Sequence, residues 1–219
     1  MKRTLAFIVI AGALAFAAIA SANVLVFTTD FNKRKDVNRI DRLVGGKKAC
    51  QKSWKGKKAL GAEVKVGRKS CMLQTPVQGD AKQPNHVLQT SAKVSSKTSK
   101  KIRKQVYVGL ALRANAKSSY EIRIFPKGRK YKLLKNGDAV DQGKNKAIAE
   151  LDKRNRLRFE AIKSDITAKV NGKRLAKFKD NDPGEVNGRK TAITFGSEAR
   201  SNKNGYMVFQ NIKGYVPDP

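Results

Sequence analysis

The sequence predicts an all-β protein, an antiparallel β-sandwich or jelly roll. Three observations predict it. Short alternating apolar runs recur along the chain, Gly, Asn-Gly and Lys-rich turns separate them, and no segment has the period of a long amphipathic helix. Asn136-Gly137 and Asn171-Gly172 are the strongest of these signals. A two-residue type I′ turn needs positive φ at both central positions, which Asn and Gly tolerate best. The 219 residues suit one domain of this class, and 40% apolar content can supply a two-sheet core.

The chain opens with Met1-Lys2-Arg3, an uncharged apolar stretch over 5–19, and the small-x-small pattern Ala20-Ser21-Ala22. Residues 1–22 therefore read as a signal peptide, with Asn23 the first mature residue. No charge falls between Arg3 and Asp30, so an uncleaved N-terminal membrane anchor is the alternative. Both readings place the domain, 23–219, in the extracellular space or the cell envelope.

The elements follow in order. Residues 24–31 form the opening strand, and 33–52, polar and basic with Gly45-Gly46, read as irregular structure. Short strands are expected at 62–66 and 70–74, then a loop over 76–84, then a longer strand at 86–95. Residues 97–104 are a basic turn, either a polyanion-binding patch or a solvated connection whose lysines discourage edge pairing. The run 105–114, with Val106, Tyr107, Val108, Leu110 and Leu112, reads as a central strand covered on both faces. Strands at 120–125 and 130–134 flank the turn Pro126-Lys127-Gly128, and 147–151 is ambiguous between strand and helical turn. In 156–162, Leu157, Phe159 and Ala161 alternate with Arg156, Arg158 and Glu160, one buried face and one wet. Strands at 166–170, 173–178, 191–195 and 206–212 close the set.

Cys50 and Cys71 are the only cysteines, and an even count in an exported chain predicts a disulfide, with two buried thiols as the alternative. His86 is the only histidine and lacks clustered cysteines or histidines, so it reads as structural and not as a metal ligand. The formal charge of +31 favours anionic partners. The bases are spread along the chain, without a helix-turn-helix, zinc-finger or RNP pattern, which argues against specific nucleic-acid recognition and leaves nonspecific adhesion to polyanions.

Several segments carry a family resemblance. They are Gly109-Leu110-Ala111-Leu112-Arg113, Tyr120-Glu121-Ile122-Arg123-Ile124, Asn155-Arg156-Leu157-Arg158-Phe159, the hairpin around Asn171-Gly172, Asp180-Asn181-Asp182-Pro183-Gly184, and the closing Gly205-Tyr206-Met207-Val208-Phe209. In this order they resemble the concanavalin A-like lectin/glucanase superfamily in its laminin-G-like branch. They are similar to bacterial exported domains related to 3-keto-disaccharide hydrolases. The resemblance implies a concanavalin A-like jelly roll and a carbohydrate partner. It also implies that a strand ending in Arg113 precedes a strand carrying Glu121. Glucanases of the superfamily carry closely spaced acids, but no Glu-x-Asp-x-x-Glu pattern occurs here, and Phe125 stands where an acid often follows.

The expected function is therefore an exported noncatalytic lectin-like module binding glycan or an anionic cell-envelope polymer. A carbohydrate-active hydrolase using Glu121 and a structural envelope or adhesion protein are the alternatives. The candidate ligand-binding residues are Arg113, Tyr120, Glu121, Arg123, Tyr131 and Trp54. Arginine offers a fixed fork of donors, carboxylates accept from sugar hydroxyls, and aromatic faces cover sugar rings. Each also has a structural reading, Arg113 and Glu121 as an ion pair between neighbouring strands and the aromatics as core packing. No cofactor is expected beyond calcium, for which Asp180 and Asp182, with Glu185 nearby, are weak candidates because laminin-G-like domains sometimes bind it.

Overall fold

Asn136 and Gly137 take φ of 53° and 95°, and Asn171 and Gly172 take 48° and 81°, so each Asn-Gly pair turns a two-residue hairpin. These turns lie in a computed structural model that describes residues 23–56, 58–65, 69–78, 84–201 and 203–217. The leader read in 1–22 lies outside the described residues. Among those described, no helix is long and apolar enough to cross a membrane.

The elements are β1 (Asn23–Thr29), α1 (Arg34–Asn38), β2 (Asp41–Val44), β3 (Cys50–Trp54), β4 (Leu60–Val64), β5 (Lys69–Gln78), β6 (His86–Val94) and β7 (Val106–Ala114). They continue with β8 (Tyr120–Phe125), β9 (Lys130–Lys135), β10 (Asp138–Lys144), β11 (Asn155–Ile162), β12 (Asp165–Val170), β13 (Lys173–Lys179), β14 (Lys190–Ser197) and β15 (Gly205–Pro217). The strands form two antiparallel sheets. Sheet I runs β13-β12-β11-β6-β15-β4-β3, with β1 also beside β15, and sheet II runs β10-β9-β8-β7-β14-β5-β2. The long β15 serves two partners on one side, β4 along Gly205–Phe209 and β1 along its C-terminal half.

The core lies between the sheets. Leu88, Leu157, Phe159, Phe209 and Ile212 face inward from sheet I, and Leu73, Val108, Leu110, Ile122, Leu133 and Phe195 from sheet II. Alternation sets this: residues two apart share a face, so each strand places its apolar set inward and the rest outward. The disulfide forms as expected. Cys50 on β3 and Cys71 on β5 join one sheet to the other, both fully buried.

Three stretches differ from the sequence reading. Residues 33–52 are not irregular but hold α1, β2 and β3. The loop expected from Pro76 starts later, because β5 continues to Gln78; Pro76 sits where the pairing with β14 shifts register, which suits a residue without an N–H. Residues 138–144, to which the sequence reading assigns no element, form the edge strand β10. The ambiguous 147–151 segment is neither strand nor helix. It is a turn in which the Asn155 side chain binds both the N–H and the carbonyl of Ala149, at 2.8 and 2.9 Å.

Candidate functional site

The outer face of sheet II carries a connected polar cluster. Register places Gly109, Arg123, Lys132 and Gln142 side by side across β7, β8, β9 and β10. Tyr107 and Phe125 form the adjoining row, with ring centroids 5.6 Å apart. The Arg123 guanidinium lies 4.5 Å over the Tyr107 ring. It donates from Nη2 to Glu121 Oε2 at 2.6 Å and reaches Glu198 Oε1 at 3.5 Å from Nη1. Lys132 Nζ binds the other Glu198 oxygen at 2.7 Å.

The electrostatics follow from this packing. Burial works against the charge on Arg123, but Glu121 outweighs it and the guanidinium is held more firmly protonated than usual. Burial, reinforced by Glu121, pushes the Tyr107 phenol well above its ordinary range, and its hydroxyl donates to Ser70 Oγ at 2.8 Å. Glu121 Oε1, Arg123 Nε and Thr194 Oγ1 are buried without a hydrogen-bond partner among the described residues. Thr194 stands opposite Gly109, so all three belong to the same patch of neighbouring strands.

Beside this cluster a cleft of about 430 Å³ opens toward the β9–β10 edge. Lys104, Lys130, Lys132 and Lys144 line it, with Gln105 and Gln142 as amide donors and acceptors and Glu198 as its carboxylate. Phe125 forms part of the wall, 5.8 Å below Lys132 Nζ. The volume falls in the range of small-molecule sites.

The expected site residues divide. Glu121 and Arg123 come together on this face, and Tyr131 lines the cleft from the core-packed side of β9. Arg113 does not join them. A bulge in the β7–β14 pairing and a φ of 47° at Arg113 break the alternation and turn its side chain inward. There it lies 5.7 Å from the Tyr120 ring and donates to the carbonyls of Pro84 at 3.2 Å and Lys163 at 2.6 Å. Arg113 and Tyr120 are fully buried, and Arg113 links the two sheets instead of pairing with Glu121. Trp54 sits on the sheet I edge strand β3, exposed, its indole N–H bound to the Phe31 carbonyl at 3.1 Å and away from the cleft.

In the acidic turn the oxygens considered for calcium are engaged by a lysine. Asp180 is buried and accepts from the Tyr120 hydroxyl, and Lys135 Nζ binds Asp180 at 3.0 Å, Glu185 at 2.7 Å and the Asp182 carbonyl at 2.9 Å. Burial would raise the Asp180 carboxyl, but these hydrogen bonds outweigh it and hold it below its usual value. The Lys135 ammonium thus contacts one oxygen each from Asp180, Asp182 and Glu185. Among the described residues no cluster of three or more His, Cys, Asp or Glu is arranged for a metal.

Lys104, Gln105, Gln142, Lys144 and Glu198 were not among the expected site residues. Only Lys104 had a sequence signal, as the end of the basic turn.

No protein-family model matches the sequence, and no curated protein matches it. Solved structures do match. The carbohydrate-binding module CBM66 from Bacillus subtilis aligns with a TM-score of 0.58 at 13% identity, covering 81% of this chain and 96% of that one. A Bacillus subtilis protein of unknown function with a galectin-like fold gives 0.59 at 11%, covering 89% and 98%. The laminarinase catalytic domain from Thermotoga maritima MSB8 gives 0.60 at 10%, covering 90% and 99%. At these identities the likeness is one of fold. The chain has the galectin-like, concanavalin A-like β-sandwich fold, shared by glycan-binding and glycan-cleaving domains.

Proposed function

We propose that this protein is an exported, noncatalytic glycan-binding module that holds an acidic sugar in the sheet II cleft. One observation carries the reading: four lysines and two glutamine amides surround a small cleft whose carboxylate, Glu198, is already committed to Lys132 and Arg123. Amides match sugar hydroxyls, and the ammonium groups match a carboxylate or ester on the sugar. The fold supports a carbohydrate partner, since its structural neighbours include a carbohydrate-binding module and a laminarinase. The leader sequence and the disulfide support export.

The same geometry argues against hydrolysis. A retaining glycosidase needs two carboxyl groups roughly 5 Å apart that flank the scissile bond. Here Glu121 is buried under an ion pair, and the Arg123 guanidinium binds both Glu121 and Glu198.

Binding to an array of glycans and cell-wall polymers at low and high salt tests the reading. Binding to a defined acidic sugar that persists at high salt, and weakens at least tenfold in Lys130→Ser/Lys144→Ser, is the expected result. Both lysines are exposed and lack salt bridges among the described residues, so the variant should fold. Equal binding by the variant contradicts the site. Sugar release by the wild-type protein that Glu121→Gln abolishes would replace this reading with the hydrolase one.

A further inference from the structure

The outer face of sheet I carries a second feature, on the opposite side of the sandwich from the cleft. Three depressions of about 590, 240 and 740 Å³ lie along it. The first and second share Ser91 and Arg154, and the second and third share Lys55, Lys93 and Val208. They therefore form one continuous trough. It runs from Arg156 on β11, across β6, β15 and β4, to Gln51 on β3, crossing five adjacent strands. At ~4.8 Å between strands this is a path of ~20 Å.

Register builds the trough. Arg156 faces Ser91, Gln89 faces Lys213, and Lys93 faces Val208, all on the outward side of their strands. Arg154, Arg156, Lys213, Lys93, Lys55 and Lys97 line it, and none of the six forms a salt bridge among the described residues. Glu63 is the acid that lines it. Neighbouring Arg158 and Lys169 are different, since both are engaged by Glu160. Lys52 lines the third depression but directs its ammonium to the carbonyls of Val37 and Ile40.

We propose that this trough binds a linear polysaccharide carrying sulfate or phosphate esters, laid across the strands of sheet I. The two arginines present planar forks that match tetrahedral oxyanions, and the lysines add point charges along the path. Gln89, Ser91 and Asn211 supply hydrogen-bonding groups between the cations, as a hydroxyl-rich chain requires. A single nucleic-acid strand would need aromatic platforms for successive bases, whereas Tyr206 is the aromatic side chain lining the trough. The site does not depend on the sheet II cleft, because the two share no residue. A chain with both sites would bridge two polymers.

The test measures affinity of the purified protein for heparin, poly(glycerol phosphate) and poly(dT) over a range of salt concentrations. The first two probes tell sulfate from phosphate esters, and the third reports nucleic acid. Arg154→Ser/Arg156→Ser/Lys213→Ser removes cations from the trough, and Lys35→Ser/Lys47→Ser/Lys117→Ser removes the same charge elsewhere. The trough variant should weaken ester-polymer binding on the order of 100-fold at low salt and flatten the salt dependence, as expected for three lost surface cations. The control triple and Lys130→Ser/Lys144→Ser should leave that binding within a few-fold of wild type. Equal losses in the control triple, tighter binding to poly(dT) than to either ester polymer, or no binding at low salt would overturn the proposal. Loss in the Lys130/Lys144 variant alone would assign the polymer to the cleft and likewise overturn it.

Discussion

Arg113 buries a guanidinium between the sheets and bonds to two backbone carbonyls, those of Pro84 and Lys163. Arg113→Met leaves both carbonyls without that donor and should destabilise the fold by roughly 2–4 kcal/mol in urea unfolding, with glycan binding in the cleft unchanged. Loss of binding at unchanged stability would instead return Arg113 to a ligand site. His86 lies fully buried nearby, neither ring nitrogen has a hydrogen-bond partner among the described residues, and burial with the Arg113 charge lowers its pKa to about 4. The sign of its effect follows from linkage. At neutral pH both states hold it uncharged. As pH falls below 6.5 the unfolded chain takes up a proton that the fold refuses, so stability drops until about pH 4, by up to ~3 kcal/mol. His86→Leu should flatten the stability profile between pH 6.5 and 4 while leaving pH 7 stability nearly unchanged. An unaltered slope in the variant would assign the acid sensitivity to other groups.

The strands best seen in the sequence are those whose turns and alternation agree. The β12–β13 hairpin has Asn171-Gly172 at positive φ and Ile166, Ala168 and Val170 on one buried face, so local chemistry and burial point the same way. The edge strands β2, β3 and β10 gave no such agreement. β10 is polar and mostly exposed, with Val140 as its large apolar side chain, and β2 and β3 lie in a lysine-rich stretch that composition marks as loop. The site was legible only in part for a related reason. Glu121 and Arg123 are two residues apart on one strand, and alternation places them on one face. The bulge at Arg113 breaks that parity, and no local pattern announces it. Glu198, Lys104 and Gln142 meet only through tertiary register. At this scale the Cys50–Cys71 bond links an edge strand of sheet I to sheet II across 21 residues of sequence. Reducing it, or Cys50→Ala/Cys71→Ala, should lower unfolding free energy by ~3 kcal/mol if restriction of the unfolded chain dominates. A negligible change in chemical denaturation would show that the sheets hold together without it.

The whole molecule combines a galectin-like β-sandwich fold with a formal charge of +31. Long-range attraction to any polyanion is screened within ~8 Å at physiological salt, so the charge alone gives weak, salt-sensitive adhesion. Specific recognition must come from a shaped site, and the sheet II cleft, with its Arg123–Glu198–Lys132 wall, is the one proposed for a single sugar. The measurement that tests this most directly is NMR titration of the purified protein with an acidic oligosaccharide in high salt. Shifts concentrated at the amides of Phe125, Lys130, Lys132, Gln142 and Lys144 are the predicted result. Shifts spread thinly over basic residues on every face, and lost as salt is raised, would contradict it.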